Sequence, residues 1–128
     1  ASTYTMSQVL IKALEEKRYE DVVKILLSGQ FDLKIRNAAG QTALHLCTKE
    51  DSTILLTITK LLIKHGAYVN DQNLNGQTPL HCATLAGAYL QVRLLVQAHA
   101  LVSLADANHH TPIDYAFWSN NQRIHSFL

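Results

Sequence analysis

Apolar residues along the chain come in short bursts at helical spacing, separated by polar turn-formers. Leu80, Ala83 and Thr84 recur on one helical face, with small residues where two helices must approach closely. Gly87 interrupts that stretch, and Val92, Leu95 and Val96 build a second apolar stripe. The boundaries carry their own chemistry. Thr78-Pro79 predicts a helix start, because Thr can cap free backbone amides and Pro at the first helical position loses no hydrogen bond. Gly66 predicts a helix end in the left-handed conformation. Asn70-Asp71 and Asn73-Leu74-Asn75-Gly76 supply turns. The unit so predicted is helix, turn, helix and projecting hairpin, which cannot bury its apolar face alone and needs stacked neighbours. At the amino end, Thr5-Met6-Ser7-Gln8 predicts a capping box with Thr5 at the cap.

The unit recurs. Gly40-Gln41-Thr42-Ala43-Leu44-His45, Gly76-Gln77-Thr78-Pro79-Leu80-His81 and His109-His110-Thr111-Pro112-Ile113-Asp114 align, with Thr42, Thr78 and Thr111 standing 36 and 33 residues apart. A second motif keeps the same phase. Leu61-Leu62-Ile63-Lys64-His65-Gly66-Ala67 matches Leu94-Leu95-Val96-Gln97-Ala98-His99-Ala100, with an earlier copy from Val22 to Gly29. A period of about 33 residues with Thr-Pro-Leu-His opening the first helix resembles the ankyrin repeat. The resemblance covers about residues 9–128. It implies an all-α solenoid of helix-turn-helix units joined by hairpin loops, in a single ankyrin-repeat domain over 1–128. Four units are expected: an atypical amino-terminal cap (1–36), two full repeats (37–72 and 73–105) and a truncated last unit (106–128).

Four departures stand out. The first full repeat carries three extra residues between Thr48 and Ile58, expected to lengthen the inter-helix turn around Lys49-Glu50-Asp51-Ser52-Thr53. His99 and His109 stand where the repeat has glycine, so the hairpin after the third unit is expected to be altered. Asp114 replaces the histidine that, in the family, stitches neighbouring loops, which suggests a terminal unit with less to stitch. The chain also opens at Ala1 rather than Met, as an excised domain or a processed chain would, and closes at Phe127-Leu128 within an expected helix, where the array either stops abruptly or has been cut. The capping unit's charged residues, Lys12, Glu15, Glu16, Arg18, Glu20 and Asp21, suit the exposed end of a solenoid.

Composition narrows the function. Of 128 residues, 48% are hydrophobic, enough for a core without staples, and the densest apolar run, Ile54 to Ile63, is too short to cross a bilayer. A net charge of +1 gives no reason to expect direct nucleic-acid binding or membrane insertion. Charge is uneven, however. Residues 1–64 hold nine basic and seven acidic side chains, and residues 65–128 only two and three. The second half is thus either a solvated neutral surface or one covered by a partner or by further chain. Cys47 and Cys82 lie in apolar helical stretches, and with no secretory signal they point to unbridged thiols and an intracellular, cytoplasmic and/or nuclear location. Seven histidines invite a metal hypothesis, but His45 and His81 belong to the repeat motif and lack ligand spacing. No phosphate loop, nucleophile elbow or zinc-protease helix is present, so no enzyme and no cofactor is expected.

What the resemblance implies about binding is specific. Arrays of this family bind proteins through hairpin tips and the exposed face of each first helix, which together line a concave groove. Matching positions here are Ala38, Ala39 and Gln41, then Leu74, Asn75 and Gln77, then Ala107, Asn108 and His110 around the hairpins. Near the ends of the first helices they are Lys49 and Glu50, Leu85 and Ala86, and Trp118 and Ser119. Leu74, Leu85 and Trp118 are apolar where solvent exposure is expected. Trp118 is either a binding anchor or a cover for the last unit. The expected function is a non-enzymatic adaptor, inhibitor or effector module for a protein partner, with association through the apolar carboxy-terminal end as a further expectation. Two alternatives are the recognition arm of a larger enzyme or channel, and a metal or pH sensor built on His99, His109, His110 and His125.

Overall fold

The computed structural model describes residues 3–29 and 31–128, with side chains from Met6 onward. Eight helices and no strand occur among the described residues: α1 (Thr3–Glu15), α2 (Tyr19–Ser28), α3 (Ala43–Cys47), α4 (Thr53–Lys64), α5 (Pro79–Ala86), α6 (Tyr89–Gln97), α7 (Pro112–Trp118) and α8 (Gln122–Phe127). They form four antiparallel pairs stacked in two layers. The first helices, α1, α3, α5 and α7, pack in succession, as do the second helices, α2, α4, α6 and α8. Between the layers runs one continuous apolar core, in which Leu10, Leu26, Leu44, Ile58, Leu62, Leu80, Leu95 and Ile124 are fully or almost fully buried.

Each hairpin is organised by one side chain. The carboxamide oxygen of Asn37 accepts from the amides of Ala39 and Gln41, that of Asn73 from Asn75 and Gln77, and the carboxylate of Asp106 from Asn108 and His110. Successive hairpins are joined through their main chains, Leu74 N–H to Ala39 O and Ala107 N–H to Asn75 O, each at 3.0 Å. Arg36 adds a strut, donating to Gly40 O and Gln72 O, and Gln72 repeats it with Gly76 O and Ala105 O. This close stacking explains the glycines: a Cβ at Gly76 would lie 2.6 Å from the amide nitrogen of Ala107, and one at Gly40 2.9 Å from that of Leu74.

The last hairpin corrects one expectation. His109 (φ 66°) and His99 (φ 71°) take the left-handed conformation that glycine takes in the earlier units, and the turn hydrogen bonds are the same. The histidines leave the hairpin's shape intact, and the departure is absorbed as backbone strain of about 1–2 kcal/mol at each site. The amino-terminal helix also differs from expectation. It runs from Thr3, so Thr5 and Gln8 lie inside it, and the Thr5 side chain is outside the described ones. Ser7 is buried and accepts from the amide of Asp32, tying α1 to the segment beyond α2.

The three extra residues do more than lengthen a turn. Compared with α5 and α6, α3 stops three residues early and α4 gains three residues at its start, with residues 48–52 between them. Lys49 and Glu50, expected near the end of a helix, therefore sit in the turn. Ser52 caps α4 by accepting from Leu55 N–H. Asp51 reaches into the next unit, where Ala88 at the N-cap position gives α6 no side-chain cap of its own, and accepts from the amides of Leu90 and Gln91 at 3.0 Å each. The buried Gln91 side chain returns the contact, donating to Cys47 O and Glu50 O and accepting from Thr59. The insertion is a helix cap supplied by the preceding repeat. Asp51→Ala should cost about 1 kcal/mol in urea unfolding and speed hydrogen exchange at Leu90 and Gln91. Unchanged exchange at those two amides would remove the cap from the account.

Candidate protein-binding surface

Three helix starts share one capping device, buried at α3 and α5 and half-buried at α7. At α5, the Thr78 hydroxyl accepts from His81 N–H, and the His81 ring accepts through Nδ1 from Thr78 N–H at 3.1 Å. That leaves Nε2 to carry the proton, and it donates to His110 O in the next hairpin at 3.0 Å. At α3 the same ring geometry runs from Thr42 through His45 to Gln77 O at 2.8 Å. Asp114 keeps only the local half. Its carboxylate accepts from Thr111 N–H, closing the capping box on α7 without reaching onward. Both histidine rings are fully buried, and burial pushes their basicity below that of a free imidazole, opposed by the carbonyl each one meets.

The sign of the pH dependence follows. The unfolded chain takes up protons on these imidazoles near pH 6.5, whereas the folded chain resists protonation, because Nδ1 already faces an N–H. The stability they contribute is therefore complete above about pH 6.5 and declines as pH falls below it. Urea midpoints should drop between about pH 7 and pH 5. A His45→Gln/His81→Gln variant, which can still form the local capping box, should be less stable at neutral pH and show a shallower slope. An equal slope in both proteins would assign the titration to other groups.

On this scaffold the expected surface positions fall into columns, one residue per repeat. Ala38, Leu74 and Ala107 are exposed at the hairpin tips, and so are Ala39, Asn75 and Asn108 beside them. Gln41, Gln77 and His110 sit half-buried one step inward. Lys49, Leu85 and Trp118 form the next exposed column, followed by Glu50, Ala86 and Ser119. Leu74 is 75% exposed, Leu85 50% and Trp118 56%. Trp118 thus rests against the last unit with more than half of its surface open. Its indole meets the His110 ring edge-on at 4.7 Å and that of Tyr115 at 5.9 Å, and the Tyr115 hydroxyl donates to Asp106. These rings hold the tryptophan in place while leaving much of it open. Phe117, one residue earlier, is exposed beside His125.

Little here supports bond-making chemistry. Burial pushes the thiol of Cys47 up to about 12 and that of Cys82 up to about 11, so both are protonated at neutral pH and poor nucleophiles. They are unbridged. Among the described residues no three His, Cys, Asp or Glu side chains are grouped to hold a metal ion. No described helix is long and apolar enough to cross a membrane.

Sequence reasoning reached the exposed columns through the repeat register. It missed Asp51, Gln91, Arg36 and Gln72, whose partners in other repeats lie 32 to 44 residues away and leave no local pattern. For Arg36 and Gln72 the shared phase in the repeat was the available signal.

A family model described as ankyrin repeats (3 copies) matches residues 10–106 and again 55–128. The chain belongs to the ankyrin-repeat family. It is 35% identical over 113 residues to the Fowlpox virus (strain NVSL) protein named "Putative ankyrin repeat protein FPV031", covering 84% of this chain and 32% of that protein. It is 37% identical over 105 residues to "Putative palmitoyltransferase ZDHHC13" of Danio rerio, covering 81% and 15%. To mouse ankyrin repeat domain-containing protein 53 the identity is 36% over 108 residues, covering 83% and 22%. The chain thus spans a third or less of the length of these relatives. Ankyrin repeats are protein-protein interaction modules, generally without catalytic activity, and the palmitoyltransferase name shows that they also occur within longer proteins of other function.

Proposed function

We propose that this ankyrin array is a non-enzymatic binding module that docks a protein partner across its hairpin tips and the concave face of its first helices. The observation that carries the reading is the exposure of Leu74, Leu85 and Trp118 at repeat positions that face outward. Large apolar side chains held rigidly in the open concentrate binding energy, tryptophan above all. Around them Ala39, Gln41, Lys49, Asn75, Gln77, Asn108 and His110 form a mixed polar surround, suited to hydrogen bonding at a rim. We take residues 1–128 as one domain, divided at 36, 72 and 105, acting in the cytoplasm or nucleus. The unbridged, protonated thiols support that location.

A second reading is that the same surface serves as the recognition arm of a larger enzyme or channel. It draws on the relative named as a palmitoyltransferase, of which the matched repeats make up 15%. Both readings use the same contacts, so one experiment tests the surface for both. Tagged wild type and a Leu74→Asp/Leu85→Asp/Trp118→Ala variant would be compared for proteins retained from cell extract, with equal helicity checked by circular dichroism. A protein held by wild type and lost from the folded variant is the expected result. Equal retention would move the binding surface off these columns.

A further inference from the structure

Charge and shape converge on the opposite side of the array. Every lysine and arginine beyond residue 50 lies on a second helix: Lys60 and Lys64 on α4, Arg93 on α6 and Arg123 on α8. Those three helices contain no aspartate or glutamate. The four acidic side chains of the same region are committed to other contacts. Asp51 caps α6, Asp71 pairs with Arg36, Asp106 organises its turn, and Asp114 caps α7. Lys60, Lys64 and Arg93 are exposed, and none forms an ion pair among the described residues. Arg93 lies 5.8 Å from the ring of Tyr89, which leaves its charge unneutralised.

Between α4 and α6 the surface is hollowed into two adjoining depressions of about 220 and 320 Å³, which share Lys60, Leu94 and Gln97. Leu56, Leu90 and Leu94 supply an apolar floor, and the three cations stand at its edges. Helix-dipole compensation accounts for Lys64, which lies in the last turn of α4. It does not account for Lys60 or Arg93, which lie further inside their helices.

We propose that this groove is a second docking site, separate from the hairpin surface, and that its occupant is an acidic amphipathic segment of another protein. Leucine-like side chains of the segment would enter the floor, and its carboxylates would meet Lys60, Lys64 and Arg93. Exposed ion pairs contribute little singly, so the apolar contacts supply affinity while the cations select the sign of the partner and speed encounter. Leu56 and Leu94 are half-buried between two helices, with Leu90 exposed beside them, which suits a peptide laid in a groove better than an acidic membrane surface.

The test uses the whole chain labelled with ¹⁵N and a synthetic helical peptide of about 16 residues, about four turns long, with leucines on one face and glutamates on the other. Amide shifts should cluster in residues 53–64 and 89–97. Binding should weaken about tenfold or more in Lys60→Glu/Arg93→Glu, as expected for reversed charges at an interface, and also in Leu90→Gln. Replacing the peptide's glutamates by lysines should abolish it. Equal urea midpoints would show that the substitutions, all at the surface, leave the fold intact. The proposal is overturned by shifts confined to the hairpins and first helices, by equal binding of the lysine peptide, or by affinity indifferent to both variants. Binding to phosphatidylserine vesicles with Lys60 dependence, but not to the peptide, would overturn it in favour of a membrane.

Discussion

An imidazole at the third position of a helix can serve two backbones at once, and in this array it does so inside the core. Nδ1 takes an amide proton from its own helix start, and Nε2 gives one to a carbonyl of the next hairpin. Both ring nitrogens are therefore used, the charged form is disfavoured, and neighbouring units are held at one spacing. Everything exposed is placed by that spacing. The main-chain bonds between hairpins need the same register, and so do the glycines that let one hairpin lie directly on the next. Asp114 keeps the local capping bond without that link, and in the same unit His109 holds the left-handed position that glycine holds in the earlier hairpins.

Much of this was legible in the sequence because a repeat multiplies weak signals. One Thr-Pro-Leu-His would be a helix start, whereas its alignment with Thr-Ala-Leu-His and Thr-Pro-Ile-Asp sets the register in which the helix pairs stack. The register then passed to the surface, and Leu74, Leu85 and Trp118 emerged exposed as their positions implied. What sequence reading missed lay between repeats. Asp51 reads as a turn residue until α6 is placed against it, and Gln91 reads as a polar break in an apolar helix until its carboxamide meets Cys47 O, Glu50 O and Thr59. His99 and His109 diverge from expectation for a related reason. The sequence shows backbone strain at one residue but not the hydrogen bonds on either side, which hold the turn in place.

The array thus presents two unlike sides. Beyond residue 50 the exposed positions of the hairpins and first-helix ends offer neutral amides, alanines and three large apolar side chains, while the second helices there offer only positive charge among their ionised groups. The sparse charge of the second half is in this sense a segregation rather than a deficit. Rigidity matters to both sides, since a surface already held in its bound shape forfeits less entropy on association.

Native-state hydrogen exchange at the amides of Leu74 and Ala107, the two that join hairpin to hairpin, tests the histidine link most directly. The account predicts that in wild type both exchange only through global unfolding, with the same free energy as the core amides of α5. In His81→Gln, Ala107 should become exchangeable through local opening while Leu74 stays protected. If both amides already exchange much faster than α5 in the wild-type chain, the hairpins are not locked by the buried imidazoles, and the pre-set binding surface loses its physical basis.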